Sequence, residues 1–104
     1  MRRRLDPDDR HAEVLRAAMK AAQEFGWSEM TRDHIAALAG ASAALVSIRL
    51  GTMTQVRDVV MAEAVRTGLL SVVAQGITAR HPRALAAPLQ LQQSALASLL
   101  PRRA

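Results

Sequence analysis

The sequence predicts an all-α fold: a helix-turn-helix pair behind a longer first helix, followed by one long and one shorter helix. Three observations predict it. Leu, Ala, Val, Ile and Met supply nearly all the apolar half of this 104-residue chain, with one Phe, one Trp and no Tyr. That palette suits helices rather than sheets. Apolar residues recur at three- and four-residue spacing, and capping residues and glycines punctuate that pattern at helix-length intervals. The length suffices for one domain with a modest core. No internal repeat or low-complexity tract is visible beyond a general richness in alanine.

Asp6-Pro7-Asp8-Asp9 opens the first helix. Asp6 caps, Pro7 suits the first helical position, and the acids that follow favour the positive end of the helix dipole. Val14, Leu15, Ala18, Met19, Ala22 and Phe25 fall on one face, and Gly26 ends the helix, with Trp27 packing just beyond the stop. Thr31 caps a short second helix with Ile35, Ala36, Leu38 and Ala39 as apolar positions, and Gly40 stops it. Ser42 caps the third, with Leu45, Val46 and Leu50 inward and Gly51 as its stop.

Thr52 and Gln55 have capping-box spacing for a fourth helix. Its apolar positions Val56, Val59, Val60, Ala64, Leu69, Val72, Val73 and Ile77 run on to His81-Pro82. Gly68 and Gly76 weaken this long helix, and no break is assigned to either. Pro88 opens a last helix over roughly 88–100, with Leu89, Leu96, Leu99 and Leu100 as its apolar side. The expected organisation is a basic arm at 1–6, a helix-turn-helix region at 7–52, a further helical region at 53–100 and a basic tail at 101–104.

The second and third helices, joined by a four-residue turn, make the helix-turn-helix pair. Ala36 must be small because the third helix crosses close over it, and Gly40 relieves a turn that needs positive φ. Ile35, Val46 and Leu50 fix the angle between the helices from inside.

The net charge is +5, and thirteen of the fourteen cations are arginines. Residues 1–51 carry eight positive and seven negative side chains, whereas residues 52–104 carry six and two. Basicity fits a nucleic-acid partner, yet the half that holds the motif is nearly neutral. Absence of cysteine rules out disulfides and thiolate metal sites. The apolar runs are too short and interrupted to span a bilayer, and the N-terminus lacks the apolar segment of a secretory signal, so a cytoplasmic location is expected. His11, His34 and His81 have neither metal-ligand nor triad spacing, and no nucleophile–base set or carboxylate pair stands out. No cofactor, metal or enzymatic activity is expected.

The run FGWSEMTRDHIAALAGASAALVSIRLGTMTQVRDVV resembles the DNA-binding domain of TetR-family transcriptional repressors. In that pattern an aromatic-Gly-aromatic turn, here Phe25-Gly26-Trp27, ends a helix. Thr31 opens the next, followed by Ile35-Ala36 and Ala39-Gly40; Leu50 stands where an apolar residue closes the third helix, and Thr52 and Val56 lead into the fourth. The match covers roughly residues 10–62. Two positions depart from it: Ser47 stands for the usual Tyr and Met53 for the usual Lys, both DNA-backbone contacts in the family. The resemblance implies a ligand-binding domain after the fourth helix; the chain ends too early for one, so no small-molecule inducer is expected. The segment also resembles the lactose-repressor type, but that type has no long preceding helix and places its closing apolar residue where this chain has Arg49.

Entry of the third helix into a major groove would turn Ser42, Ala43, Ala44, Ser47, Ile48 and Arg49 outward. Arg49 alone among them can make a bidentate contact to guanine; it could equally hold a phosphate or stay solvated. Ser47 can bond to bases or phosphate, and the alanines can touch a thymine methyl. Ile48 either does the same or belongs to the core. Thr31 and Arg32, at the start of the second helix, suit a phosphate, although Thr31 is also an ordinary cap. Arg2, Arg3 and Arg4 either reach DNA as an arm or form a solubilising tail.

Leu69, Leu70, Val72, Val73, Ile77, Leu85, Leu89, Leu96, Leu99 and Leu100 supply more apolar surface than short helices can cover. A homodimer through residues 56–100 is expected, with Gly68 and Gly76 allowing close approach. The leading reading is a repressor that binds an inverted repeat in double-stranded DNA. The alternative is a helical protein-interaction module, antitoxin-like or an accessory subunit, that keeps this fold without reading DNA.

Overall fold

A computed structural model describes residues 7–100, and every regular element among them is a helix. α1 (Pro7–Phe25), α2 (Arg32–Ala39) and α3 (Ala43–Leu50) lie where the sequence places them. After them come α4 (Met53–Thr67), α5 (Leu70–Thr78), α6 (Pro82–Leu85) and α7 (Leu89–Ala97). The arm at 1–6, with Asp6 and Arg2, Arg3 and Arg4, and the tail at 101–104 lie outside the described residues.

Local chemistry explains the first boundaries. Thr31 Oγ1 accepts from His34 N–H at 3.2 Å, and His34 Nδ1 accepts from Thr31 N–H at 3.1 Å. This capping box carries a histidine where Glu or Gln is usual. Ser42 Oγ accepts from Leu45 N–H at 3.1 Å. Thr52 and Gln55 close the expected box at the start of α4, at 2.8 and 3.2 Å. Gly40, at φ 64°, ends α2 in the left-handed region that a Cβ disfavours.

The predicted long fourth helix is two helices. Gly68 takes φ 74° and stops α4, while Leu69 N–H reaches back to Ala64 O at 2.9 Å, the bond pattern of a left-handed C-cap. Gly76 does the opposite and stays inside α5, where a Cβ would strike Met61 and come within 2.8 Å of Ala84 Cβ. Its close approach is therefore to α4 and α6 of the same chain, and nothing lies within 4 Å of a Cβ at Gly68. α5 ends at Thr78, and Arg80, at φ 57°, takes the left-handed position before His81-Pro82 opens α6. The last helix covers 89–97 rather than 88–100.

One apolar cluster runs through the molecule. Val14, Ala18 and Ala22 of α1 meet Ile35 and Ala36 of α2, Val46 and Leu50 of α3, Val56, Val60 and Met61 of α4, and Val72 and Val73 of α5. Alanine at so many of these contacts lets helix axes approach closely. Trp27 joins the two ends of this core: its backbone N–H donates to Gln75 Oε1 at 2.6 Å and its indole Nε1 to Arg57 O at 3.0 Å. Several apolar positions turn outward instead. Phe25 is half-exposed and stacks on His34 at 3.8 Å, and Val59 is also exposed. In α7 the buried residue is Ala95, with Leu91 packed beside it, while Leu89, Leu96, Leu99 and Leu100 face away from the core.

Candidate nucleic-acid interface

α2 and α3 are eight residues each and meet at 102° across a turn of three residues, Gly40, Ala41 and Ser42, one fewer than predicted. Two features hold this angle. The left-handed Gly40 reverses the chain, with Ala41 N–H donating to Ala36 O at 3.0 Å. Ile35, Ala36, Val46 and Leu50 are buried on the inner side.

The opposite side of α3 carries the predicted contact residues. Ser42, Ala44 and Ile48 are exposed, and Ala43, Ser47 and Arg49 are half-exposed. Ile48 is 75% exposed, which removes the core alternative for it. Ser42 Oγ and Thr31 Oγ1 are occupied as cap acceptors, but each hydroxyl still has its own hydrogen to donate. Arg49 stands in the last turn of α3, where a cation also complements the negative end of the helix dipole. Arg32 and Arg49 share one property: their Nε atoms are the two buried side-chain polar atoms without a hydrogen-bond partner among the described residues.

The starts of three helices converge beside this face. A cleft of about 310 Å³ is lined by Thr31 and Arg32 of α2, Ala43 of α3, and Met53 and Arg57 of α4. Free N–H groups at helix starts favour anions. Arg32 adds a cation here and Asp33 partly offsets it.

Arg57 is the residue that sequence reasoning missed. Its Nε donates to Trp27 O at 3.3 Å, and its second terminal nitrogen donates to Ser28 O at 3.3 Å and Met30 O at 3.2 Å. It thereby ties the α1–α2 connection to α4 and fixes where α2 begins. One signal was available: no carboxylate lies three or four residues from it on α4, so it has no helical ion-pair partner. The spacing of His34 gave it no role, yet its Nδ1 belongs to the α2 cap. No group of three His, Asp or Glu side chains among the described residues is placed to hold a metal ion. No single described helix is long and apolar enough to cross a membrane.

No family model matches the chain, and no curated protein or solved structure matches it.

Proposed function

We propose that the protein is a sequence-specific DNA-binding transcriptional regulator, with α2 and α3 as a helix-turn-helix and α3 as the helix that enters the major groove. The observation that carries this reading is the 102° crossing of two short helices over a glycine turn, with small residues on the outer side of the second. Ala43 and Ala44 let the helix approach the groove floor. Arg49 and Ser47 supply the contacts to base edges, and DNA shape supplies the rest. Thr31 and Arg32 at the start of α2 hold a phosphate and set the register. Repression follows from occlusion of a promoter.

The protein binds as a homodimer whose two reading helices lie one DNA turn apart on an inverted repeat. Val72 and Val73 are buried, and Leu69, Leu70 and Ile77 pack on the core, so these five leave the expected interface. Leu85, Leu89, Leu96, Leu99 and Leu100 remain exposed. They lie within residues 84–100, a stretch without one charged side chain. Depletion of charge at an apolar patch is the composition of interface cores. Two copies that each carry +5 meet there without bringing like charges together.

The exposed Ile48 and the near-neutral first half favour a second reading, a protein-interaction module on the same fold. Selection of bound duplexes from a random pool, followed by anisotropy at several salt concentrations, separates the two. A regulator enriches an inverted repeat and shows a steep salt slope; recovery of random sequence with a flat slope would sink the DNA reading. Arg49→Ala is expected to weaken the selected site by roughly 1–3 kcal/mol and to relax one base position. Equal loss on every duplex would make Arg49 a phosphate contact instead.

A further inference from the structure

We infer that Ile48 reads the methyl group of a 5-methylpyrimidine in the major groove, an inference that rests on the DNA-binding function proposed above. It names the class of duplex that α3 takes: each half-site carries a thymine, or a 5-methylcytosine, beneath the middle of the helix. Val46 and Leu50 are the buried residues of α3. At about 100° of turn per residue, Ile48 lies roughly 180° from the midpoint of that pair. Ala44, one turn earlier, stands beside it on the same side. Both are exposed, Ile48 at 75%. Ser47 and Arg49 lie about 100° to either side of Ile48, and both are half-exposed, as flank positions should be.

The middle of the outer face of α3 therefore carries no hydrogen-bonding side chain. Ser47 and Arg49, on the flanks, can each bond a base edge or a phosphate, and Ile48 can do neither. A base pair covered by Ile48 loses water from its groove edge. Where that edge presents mainly donors and acceptors, they are left unpaired, at a cost to binding. The apolar group that the major groove offers instead is the C5 methyl of thymine. A cytosine methylated at C5 offers the same group. Isoleucine at this place favours a methylated pyrimidine in two ways: by the apolar area buried on it, and by the polar edges left unpaired on other bases.

A lone exposed isoleucine is ordinary on a protein surface; the position of this one and its neighbours give it a role. On α2 and α3 it is the single large apolar side chain exposed. A protein partner is met by a wider apolar patch, whereas a methyl group needs one side chain. The alanine beside it keeps bulk away, so the isoleucine projects beyond the surrounding surface and touches the groove floor first.

The full chain is titrated by anisotropy against a duplex selected from the random pool, then against copies with uracil replacing one half-site thymine at a time. Uracil pairs with adenine as thymine does and lacks only the methyl. At one position it should weaken binding about fourfold, and at that position in both half-sites together about fifteenfold. With cytosine placed there, methylation at C5 should tighten binding about threefold. Ile48→Ala, with helical circular dichroism unchanged, should bind the thymine and uracil duplexes within about twofold of each other. The inference is overturned by a selected half-site without thymine, by uracil tolerated at every position, by methylation of cytosine without effect, or by a folded Ile48→Ala protein that keeps the full discrimination. In each of those cases an enriched repeat still stands, and with it the DNA-binding function. A pool with no enriched sequence sinks both. Should Ile48→Ala fail to fold, the uracil series on the unaltered chain decides.

Discussion

α3 and α7 are nearly equal in length and both are apolar, yet they present opposite faces to solvent. α3 buries Val46 and Leu50 and shows Ala44 and Ser42, with Ile48 the single large apolar side chain outside. α7 buries Ala95 and shows Leu89 and Leu96. α3 also begins with a serine cap, whereas α7 starts behind Pro88 with no side-chain cap. A helix that keeps its large residues inside and small ones outside is shaped to approach another surface closely. A helix that spends an alanine on the core and leaves leucines outside needs an apolar cover, because several exposed leucines together forfeit the stabilisation that burial would bring.

The contrast breaks first at Val46. Val46→Asp places an unpaired charge in the core and should cost more than about 4 kcal/mol, enough to unfold a small domain. Ile48→Asp, two residues on but outward, should stay within about 0.5 kcal/mol. Urea denaturation of both proteins measures the difference; similar losses would mean that α3 is not oriented as described.

At α7 the expected effect is on mass rather than on the fold. Leu89→Glu with Leu96→Glu should convert a dimer to a monomer in sedimentation at micromolar concentration while helical content is retained. A parent protein that already sediments as a monomer removes the dimer from the proposal.

The cap of α2 sharpens the comparison at smaller scale. His34→Ala removes the acceptor for Thr31 N–H and the ring stacked on Phe25, and should cost roughly 0.5–1 kcal/mol. His34→Gln restores the usual capping box and should recover most of that loss in thermal melts. Failure of Gln to outperform Ala would assign the effect to the stacking alone.

The smallest effect is acidic. The hydrogen bond from Arg83 holds the Asp58 carboxyl below its ordinary range, with the charges of Arg83 and His81 adding to it against desolvation. A carboxyl lowered on folding contributes stability above its unfolded pKa, about 3.9, and loses it as pH falls through the lower folded value. Exposure limits the contribution to about 0.5 kcal/mol. Arg83→Gln should therefore lower stability at neutral pH by up to about 0.5 kcal/mol, and urea denaturation at several pH values should show the two proteins converging as pH falls below about 4. Glu63, held low by Arg66 in the same way, sets a parallel background that this substitution does not touch.

The outer face of α3 was largely legible because it depends on positions three and four apart in one short helix. Ser42 and Thr31 as caps, Gly40 as the turn, and Val46 and Leu50 as the inner side all follow from contacts within one or two turns. Arg57 was not legible. Its partners are the carbonyls of residues 27, 28 and 30, about thirty positions away, and a backbone carbonyl leaves no mark in a sequence.

The sequence by itself determined the helical class, the bounds of α1 to α3 and the start of α4. Caps and stops act through hydrogen bonds within a turn of the chain, so their chemistry is local. Tertiary structure decided what Gly68 and Gly76 do. The same residue type ends one helix at φ 74° and sits inside the next, where Met61 and Ala84 leave no room for a Cβ. It also decided which leucines are inside. Spacing can place Leu89 and Leu96 on one side of a helix, but what that side meets depends on residues elsewhere in the chain. Here α5 accepts Leu91 and Ala95 and leaves the other side uncovered.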